Sequence, residues 1–190
     1  MTKFFNYLAV HAVAKLSDLK IGGIILLVTL LFGCTSVPDG IKPVSNFDLS
    51  RYLGKWYEIA RLDHSFERGL EQVSAIYATQ EDGGVSVVNR GFNSDKQDWQ
   101  EAQGKAYFVG DSTTGHLKVS FFGPFYASYV IFLLDINEYK YAMITGPDRE
   151  YLWILARSPT LSKDLLDSLV EHAQEMGFDT KKLIYVDHST

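Results

Sequence analysis

From Gly54 to Arg157 the chain alternates apolar and polar residues in short runs, broken at close intervals by Gly, Asp, Asn and Ser. A period of two sends successive side chains to opposite faces of a strand, so each run predicts a half-buried strand. The predicted strands cover 54–61, 72–80, 84–92, 99–109, 116–122, 128–135, 139–146 and 150–157. Between them lie turn-forming connectors such as EDGG at 81–84, NSDKQD at 93–98, GDSTTG at 110–115, FGPF at 122–125 and GPDR at 146–149. Eight strands joined this way favour a meander, and a meander removes its exposed edges by closing on itself. The predicted class is all-β: an eight-stranded antiparallel up-and-down β-barrel. Such a barrel is just wide enough to hold one small ligand.

The period then changes. Leu165, Leu166, Leu169, Val170, Ala173 and Met176 form one helical stripe. Ser162 is placed to cap this helix, Leu161 and Leu166 to staple its start, and Gly177 to end it. The stripe predicts a C-terminal α-helix packed outside the barrel, because an exposed stripe would be a liability. A last short strand, LIYV at 183–186, is expected to pair with a barrel edge.

The N-terminus follows neither pattern. Lys3, Lys15 and Lys20, against the single acid Asp18, precede an apolar run from Ile21 to Cys34. That run is shorter than the roughly 20 residues a spanning helix needs, and has the layout of a secretory signal. Its ending, LFGC, resembles a bacterial lipoprotein cleavage box. The resemblance implies a signal peptide over 1–33 and a lipid-modified Cys34. Thr35 stands where an inner-membrane retention signal would place Asp, which implies sorting to the outer membrane, anchored on its periplasmic side. Residues 34–46, with two prolines and several small polar residues, read as the lipidated N-terminus and a tether, and 47–190 as the folded domain.

Composition narrows the function classes. Apolar residues make up 46% of the 190-residue chain and aromatics 14%, enough for a core and in keeping with an apolar cavity. The net charge is −5, and removing the signal takes away three lysines and one aspartate. Nucleic acid is therefore excluded as a partner, since phosphate binding needs a basic face. The single cysteine excludes an intramolecular disulfide. No nucleophile elbow or dense Cys/His cluster occurs, so neither a metal nor a cofactor is expected. His116, His172 and His188 read as surface residues.

Two longer stretches carry a family resemblance. FDLSRYLGKWYEIAR at 47–61 and GPDREYLWILAR at 146–157 resemble the conserved regions of the lipocalins, with the match extending over 44 to 188. It is closest to the bacterial outer-membrane lipoprotein lipocalins. The resemblance implies a central cavity, the calyx, that takes small hydrophobic molecules. Trp56 and Arg157 then lie at the same, closed end of adjacent strands, where guanidinium over indole shuts the floor and Gly54 lets backbone pass close to the ring.

Parity from Trp56 points Glu58 and Ala60 inward. On the next strands, parity combined with the family pattern points Val73, Ala75 and Tyr77 inward, then Val85, Val87 and Asn89, and then Gly104, Ala106 and Phe108. The same reasoning selects Leu117, Val119 and Phe121, then Tyr129, Ile131 and Leu133. Ala142 and Ile144 follow, with Tyr151, Trp153 and Leu155 on the last strand. Glu58 and Asn89 are expected to join an internal polar network first and to contact ligand second. At the mouth, Phe66 and Leu70 can cover the opening, and Arg61, His64 and Arg68 can meet a carboxylate or phosphate head group; a merely solvated charged loop is the equal alternative.

The function these expectations support is a membrane-anchored carrier of fatty acid or lysophospholipid, storing or transporting lipid in the bacterial envelope. The alternatives are a lipid- or isoprenoid-modifying enzyme on the same scaffold, and a structural envelope protein that binds a protein partner, a homodimer included.

Overall fold

The computed structural model describes residues 35–189; the expected signal peptide and lipid-modified Cys34 lie outside the described residues. Nine strands form one antiparallel sheet: β1 (Gly54–Arg61), β2 (Leu70–Thr79), β3 (Val85–Asn93), β4 (Asp98–Phe108), β5 (His116–Phe122), β6 (Phe125–Leu134), β7 (Tyr141–Thr145), β8 (Leu152–Ala156) and β9 (Ile184–Tyr185). Each of the first eight pairs with its chain neighbour, and β1 pairs with both β2 and β8, so the barrel closes. A short helix, α1 (Leu49–Tyr52), precedes β1, and α2 (Lys163–Glu175) follows β8.

The barrel has two apolar cores. Inside it, Trp56, Tyr77, Val87, Ile131, Ile144 and Leu155 pack with Phe47 and Tyr52 from the segment before β1. Outside, Leu169 and Ala173 of α2 pack on Ile59, Val130, Met143 and Ile154, which are the outward residues of β1, β6, β7 and β8. Ser162 caps α2 by accepting from the Leu165 amide. Gly177, at φ +87°, makes the left-handed stop.

Closure between β1 and β2 extends only from Gly54 to Tyr57. Beyond that the two strands part, and the C-terminal segment fills the seam. β9 pairs with Ala60 and Arg61, the Val186 amide donates to the Ile59 carbonyl, and the Gln72 amide donates to the Asp187 carbonyl. The last strand thus joins the edges of β1 and β2 at once, satisfying backbone groups that would otherwise be unpaired.

Residues 35–46, expected as a tether, form a strap against the barrel wall. Pro38 and Ile41 are buried, and Val37 and Ile41 belong to the outer core. Ser128 Oγ donates to the Ser36 carbonyl at 2.6 Å, Val44 exchanges backbone bonds with Ile131 and Gly115, and the Phe47 amide donates to Thr113. Apolar residues at 37, 41, 44 and 47 provide the spacing for this packing.

Candidate functional site

At the closed end, the Arg157 guanidinium lies 4.0 Å from the Trp56 ring centroid. Its nitrogens donate to the carbonyls of Lys55, Arg51 and Tyr139 at 2.8, 2.7 and 3.3 Å. Trp56 is fully buried and donates its indole N–H to the Tyr52 carbonyl at 2.7 Å. Gly54 sits at φ +91°, and a Cβ there would lie 3.6 Å from Arg157. Its left-handed backbone, rather than close approach to the indole, is what requires glycine. Arg157 and the Trp56 indole thus donate to carbonyls throughout.

Above the floor, three tyrosines share their hydroxyls: Tyr129 Oη lies 2.7 Å from Tyr52 Oη and 2.8 Å from Tyr77 Oη. Burial raises all three hydroxyls above their ordinary range, so they stay neutral. The inward residues of the remaining strands, Ala75, Val85, Ala106, Phe108, Leu117, Val119, Phe121, Ala142 and Trp153 among them, belong to or pack on the inner core. Asn89 also faces inward, half-buried, but makes no side-chain hydrogen bond among the described residues, so it is not part of the expected polar network.

Two inward assignments fail, both through bulges. The β1–β8 register shifts between Glu58 and Ala60, and the β6–β7 register shifts between Ile131 and Leu133. A bulge adds one residue and exchanges the faces beyond it. Ala60 and Leu133 consequently pack in the outer core under α2, while Arg61 and Leu134 turn inward.

Arg61 is therefore not a head-group cation at the rim. It is 2% exposed and bonded to Glu58 Oε1 at 2.6 Å, with Nη2 donating to the Glu67 and Leu70 carbonyls. The 62–69 loop folds back over it, and Glu67, at 6% exposure, accepts from Trp153 Nε1 at 3.0 Å. His64 is also buried, stacked on Tyr151 at 4.7 Å and on Phe66 at 5.3 Å, with Trp153 tilted at 4.9 Å. Arg68 is exposed and held by Asp63. Phe66 is 60% exposed, stacked on the buried His64, and Leu70 is half-buried at the start of β2. Of the three expected cations, Arg61 and His64 are buried, and only Arg68 faces solvent.

Glu67 was missed because strand parity says nothing about a loop residue. The available signal was the excess of polar groups, Glu58 and Arg61, at the end of a strand whose partner Trp153 carries an N–H.

Two carboxyls and one guanidinium in a dry site cannot all stay charged at low cost. Burial, and then Glu67, push the Glu58 carboxyl up to about 8 against the pull of Arg61; burial also raises Glu67. Both carboxyls are thus pushed toward their neutral form. Burial, followed by the Arg61 charge, drives His64 down to about 4, so its ring is neutral. Arg61 Nε and His64 Nε2 are buried without a partner.

Filling of the interior is one-sided. Inward residues of β1, β7 and β8 are mostly buried, whereas Asn89, Ala102, Gly104, Val119, Phe121 and Tyr129 keep solvent contact while facing in. Gly104 has no side chain because Phe121 occupies that space; a Cβ would come within 2.8 Å of its ring. A separate groove of about 300 Å³ on the outer wall is lined by Lys55, Tyr57, Arg90 and Trp99. There Arg90 and Lys55 already cover aromatic rings.

The sequence profile of the lipocalin-like domain matches residues 47–188. The chain belongs to the lipocalin family. The outer membrane lipoprotein Blc of Vibrio cholerae is 60% identical over 163 residues, spanning 86% of this chain and 95% of that protein. Its namesake in Escherichia coli K12 is 52% identical over 159 residues, spanning 83% and 89%. Among solved structures, insecticyanin of the tobacco hornworm Manduca sexta superposes with a TM-score of 0.64 at 25% identity, covering 81% of this lipocalin and 87% of that chain.

Proposed function

We propose that this lipocalin is an acylated carrier, held at the outer membrane by lipid on Cys34, that keeps the apolar tail of a fatty acid or lysophospholipid inside its barrel. The observation that carries the reading is the solvent contact kept by inward apolar residues on β4 and β5, Ala102, Val119 and Phe121. Solvent-reached apolar surface inside a closed barrel gains by taking an alkyl chain, at about 0.8 kcal/mol per buried methylene. The signal-like segment before Cys34, and relatives named outer membrane lipoproteins, support the anchoring.

Occupied cations also sharpen the mode of binding. With Arg61 on Glu58 and Arg68 on Asp63, the head group stays in solvent at the mouth, and selection falls on the tail. The test is a titration of soluble Cys34→Ser protein with lysophosphatidylcholine and with a fatty acid, followed by tryptophan fluorescence. Saturable binding of a 16-carbon chain is expected. Val119→Trp, which shortens the tail space, lowers that affinity roughly tenfold, or about 1.4 kcal/mol, and spares a 10-carbon chain. If neither ligand alters the fluorescence, the carrier reading is wrong.

A further inference from the structure

We propose that the open rim is a membrane-docking surface, and that the N-terminal strap turns it toward the bilayer holding the Cys34 lipid. The inference rests on the acylation of Cys34 proposed above, and adds to it an orientation and a contact surface.

The strap supplies the orientation. β1 runs away from the floor, so the connectors at 62–69, 94–97, 123–124 and 146–151 all lie at the open end. Ser36 bonds Ser128 of β6 and the Pro147 carbonyl in the β7–β8 connector, and Arg149 of that connector donates to the Asp39 carbonyl. From there the strap descends past Val44 to Phe47, which bonds the 109–115 connector at the closed end. The described chain thus starts at the open end.

Chain length then limits the freedom of the body. Cys34 is two residues from Ser36, and two residues span at most about 7 Å in any conformation. Ser128, in turn, is three residues along β6 from Phe125, roughly 10 Å at strand rise. An acylated Cys34 therefore holds this side of the mouth close to the membrane surface.

The rim carries side chains suited to that position. Among the described residues, the three most exposed large apolar side chains are Phe122 at 78%, Phe125 at 61% and Phe66 at 60%, all at the open end. Phe122 and Phe125 flank Gly123–Pro124 at the tip of β5–β6, and no charged residue occurs from Phe121 to Ala127. Pro124 has no amide N–H to desolvate on insertion. At the closed end the connectors display Asp82, Asp111, Asp135 and Glu138, with Ile136 as the main exposed apolar group. Near the rim Asp63, Glu71, Asp95, Asp98, Asp148 and Glu150 outnumber Arg68, Lys96 and Arg149, so there is no basic excess and docking is apolar and independent of anionic lipid.

Function follows from the juxtaposition. A rim seated among head groups lets an alkyl chain pass from the bilayer into the barrel with little exposure to water.

The test uses the acylated full-length protein, in which an introduced cysteine is the only free thiol. Gly123→Cys at the open tip and Glu81→Cys at the closed end are labelled with an environment-sensitive fluorophore and reconstituted into phosphatidylcholine vesicles. Nitroxide-labelled phosphatidylcholine is expected to quench the label at 123 at least threefold more than the label at 81. Equal quenching, or stronger quenching at 81, overturns the orientation.

Replacing both Phe122 and Phe125 with Asp is expected to slow uptake of lysophosphatidylcholine from vesicles at least tenfold. Its affinity for monomeric ligand in solution should remain within twofold. Uptake at the wild-type rate overturns the docking role. Failure of the wild-type protein to bind ligand in solution would remove the carrier reading instead, and the quenching comparison decides the orientation without ligand.

Discussion

The two ends of the barrel solve the same problem, closing a cylinder around buried polar groups, with opposite chemistry. At the floor one guanidinium faces only carbonyls and an indole face, and no carboxyl is buried with it. At the mouth one guanidinium is shared by two carboxyls under a folded loop, and two ring or guanidinium nitrogens are left without partners. Neutral acceptors hold a charge without introducing another that titrates, so the floor keeps one state across pH. The mouth can change its proton count, and with it the hold on the 62–69 loop. A satisfied network belongs where nothing moves; a partly satisfied one belongs where the structure must adapt.

The largest effect should come from the floor. Trp56→Ala removes a fully buried indole from beneath Arg157 and leaves a cavity among Tyr52, Tyr77 and Leu155. A loss of about 3–5 kcal/mol is expected in urea unfolding. Arg157→Lys retains the charge but not the fork that reaches three carbonyls, with an expected loss of about 1–3 kcal/mol. A near-neutral Trp56→Ala would mean that the floor is not the structural end of the comparison.

At the mouth the expected signature is pH dependence. Glu58 has an ordinary value of 4.5 and a folded value of about 8, so the folded state holds the extra proton between those limits. Its stabilising contribution is full below 4.5 and is lost as pH rises through 8. His64 acts in the opposite sense: lowered from 6.5 to about 4, it contributes stability above 6.5 that is lost as pH falls toward 4. The two slopes oppose one another below 6.5; above it Glu58 remains, with the raised Glu67 acting in the same direction. Stability should therefore decline between pH 6.5 and 8, with Glu58 contributing at most about 2 kcal/mol. Urea midpoints measured across that window should flatten in Glu58→Gln, whereas His64→Phe, which keeps the stack, should start the decline near pH 4.5. A wild-type midpoint that rises from 6.5 to 8 would reverse the assignment.

What could be read from the sequence separates along the same axis. The eight strands, their order, the outer helix and its cap follow from period and turn chemistry, which act locally. Inward positions on the unbroken strands, such as Val87, Ala106 and Ile144, follow from the same period. Ala60, Leu133 and Arg61 do not, because a bulge alters parity without leaving a mark in residue type. β6 begins at Phe125 rather than 128, and β2 at Leu70 rather than 72, since Pro and Gly near a hairpin read as loop even when the flanking residues pair. Glu67 and the strap were hidden for a different reason. Both are irregular segments whose burial depends on surfaces distant in sequence, as with Glu67 on Trp153, 86 residues away.

The smallest effect tests whether a charged loop at the mouth matters because it is charged. Arg68 and Asp63 form an ion pair with side chains 66% and 43% exposed. A pair in that setting gains little from Coulomb attraction and gives up side-chain freedom, which places its worth at about 0–1 kcal/mol. Arg68→Ala should therefore shift the urea midpoint only slightly, and less still at high salt. Because Arg68 faces solvent while Arg61 and Glu67 hold the loop from within, it should also leave affinity for lysophosphatidylcholine within twofold. A tenfold loss of affinity, reversed by Arg68→Lys, would move the head group onto this residue. Selection would then no longer rest on the tail alone, and the mouth would have to be read as a binding site for charge as well as an adaptable closure.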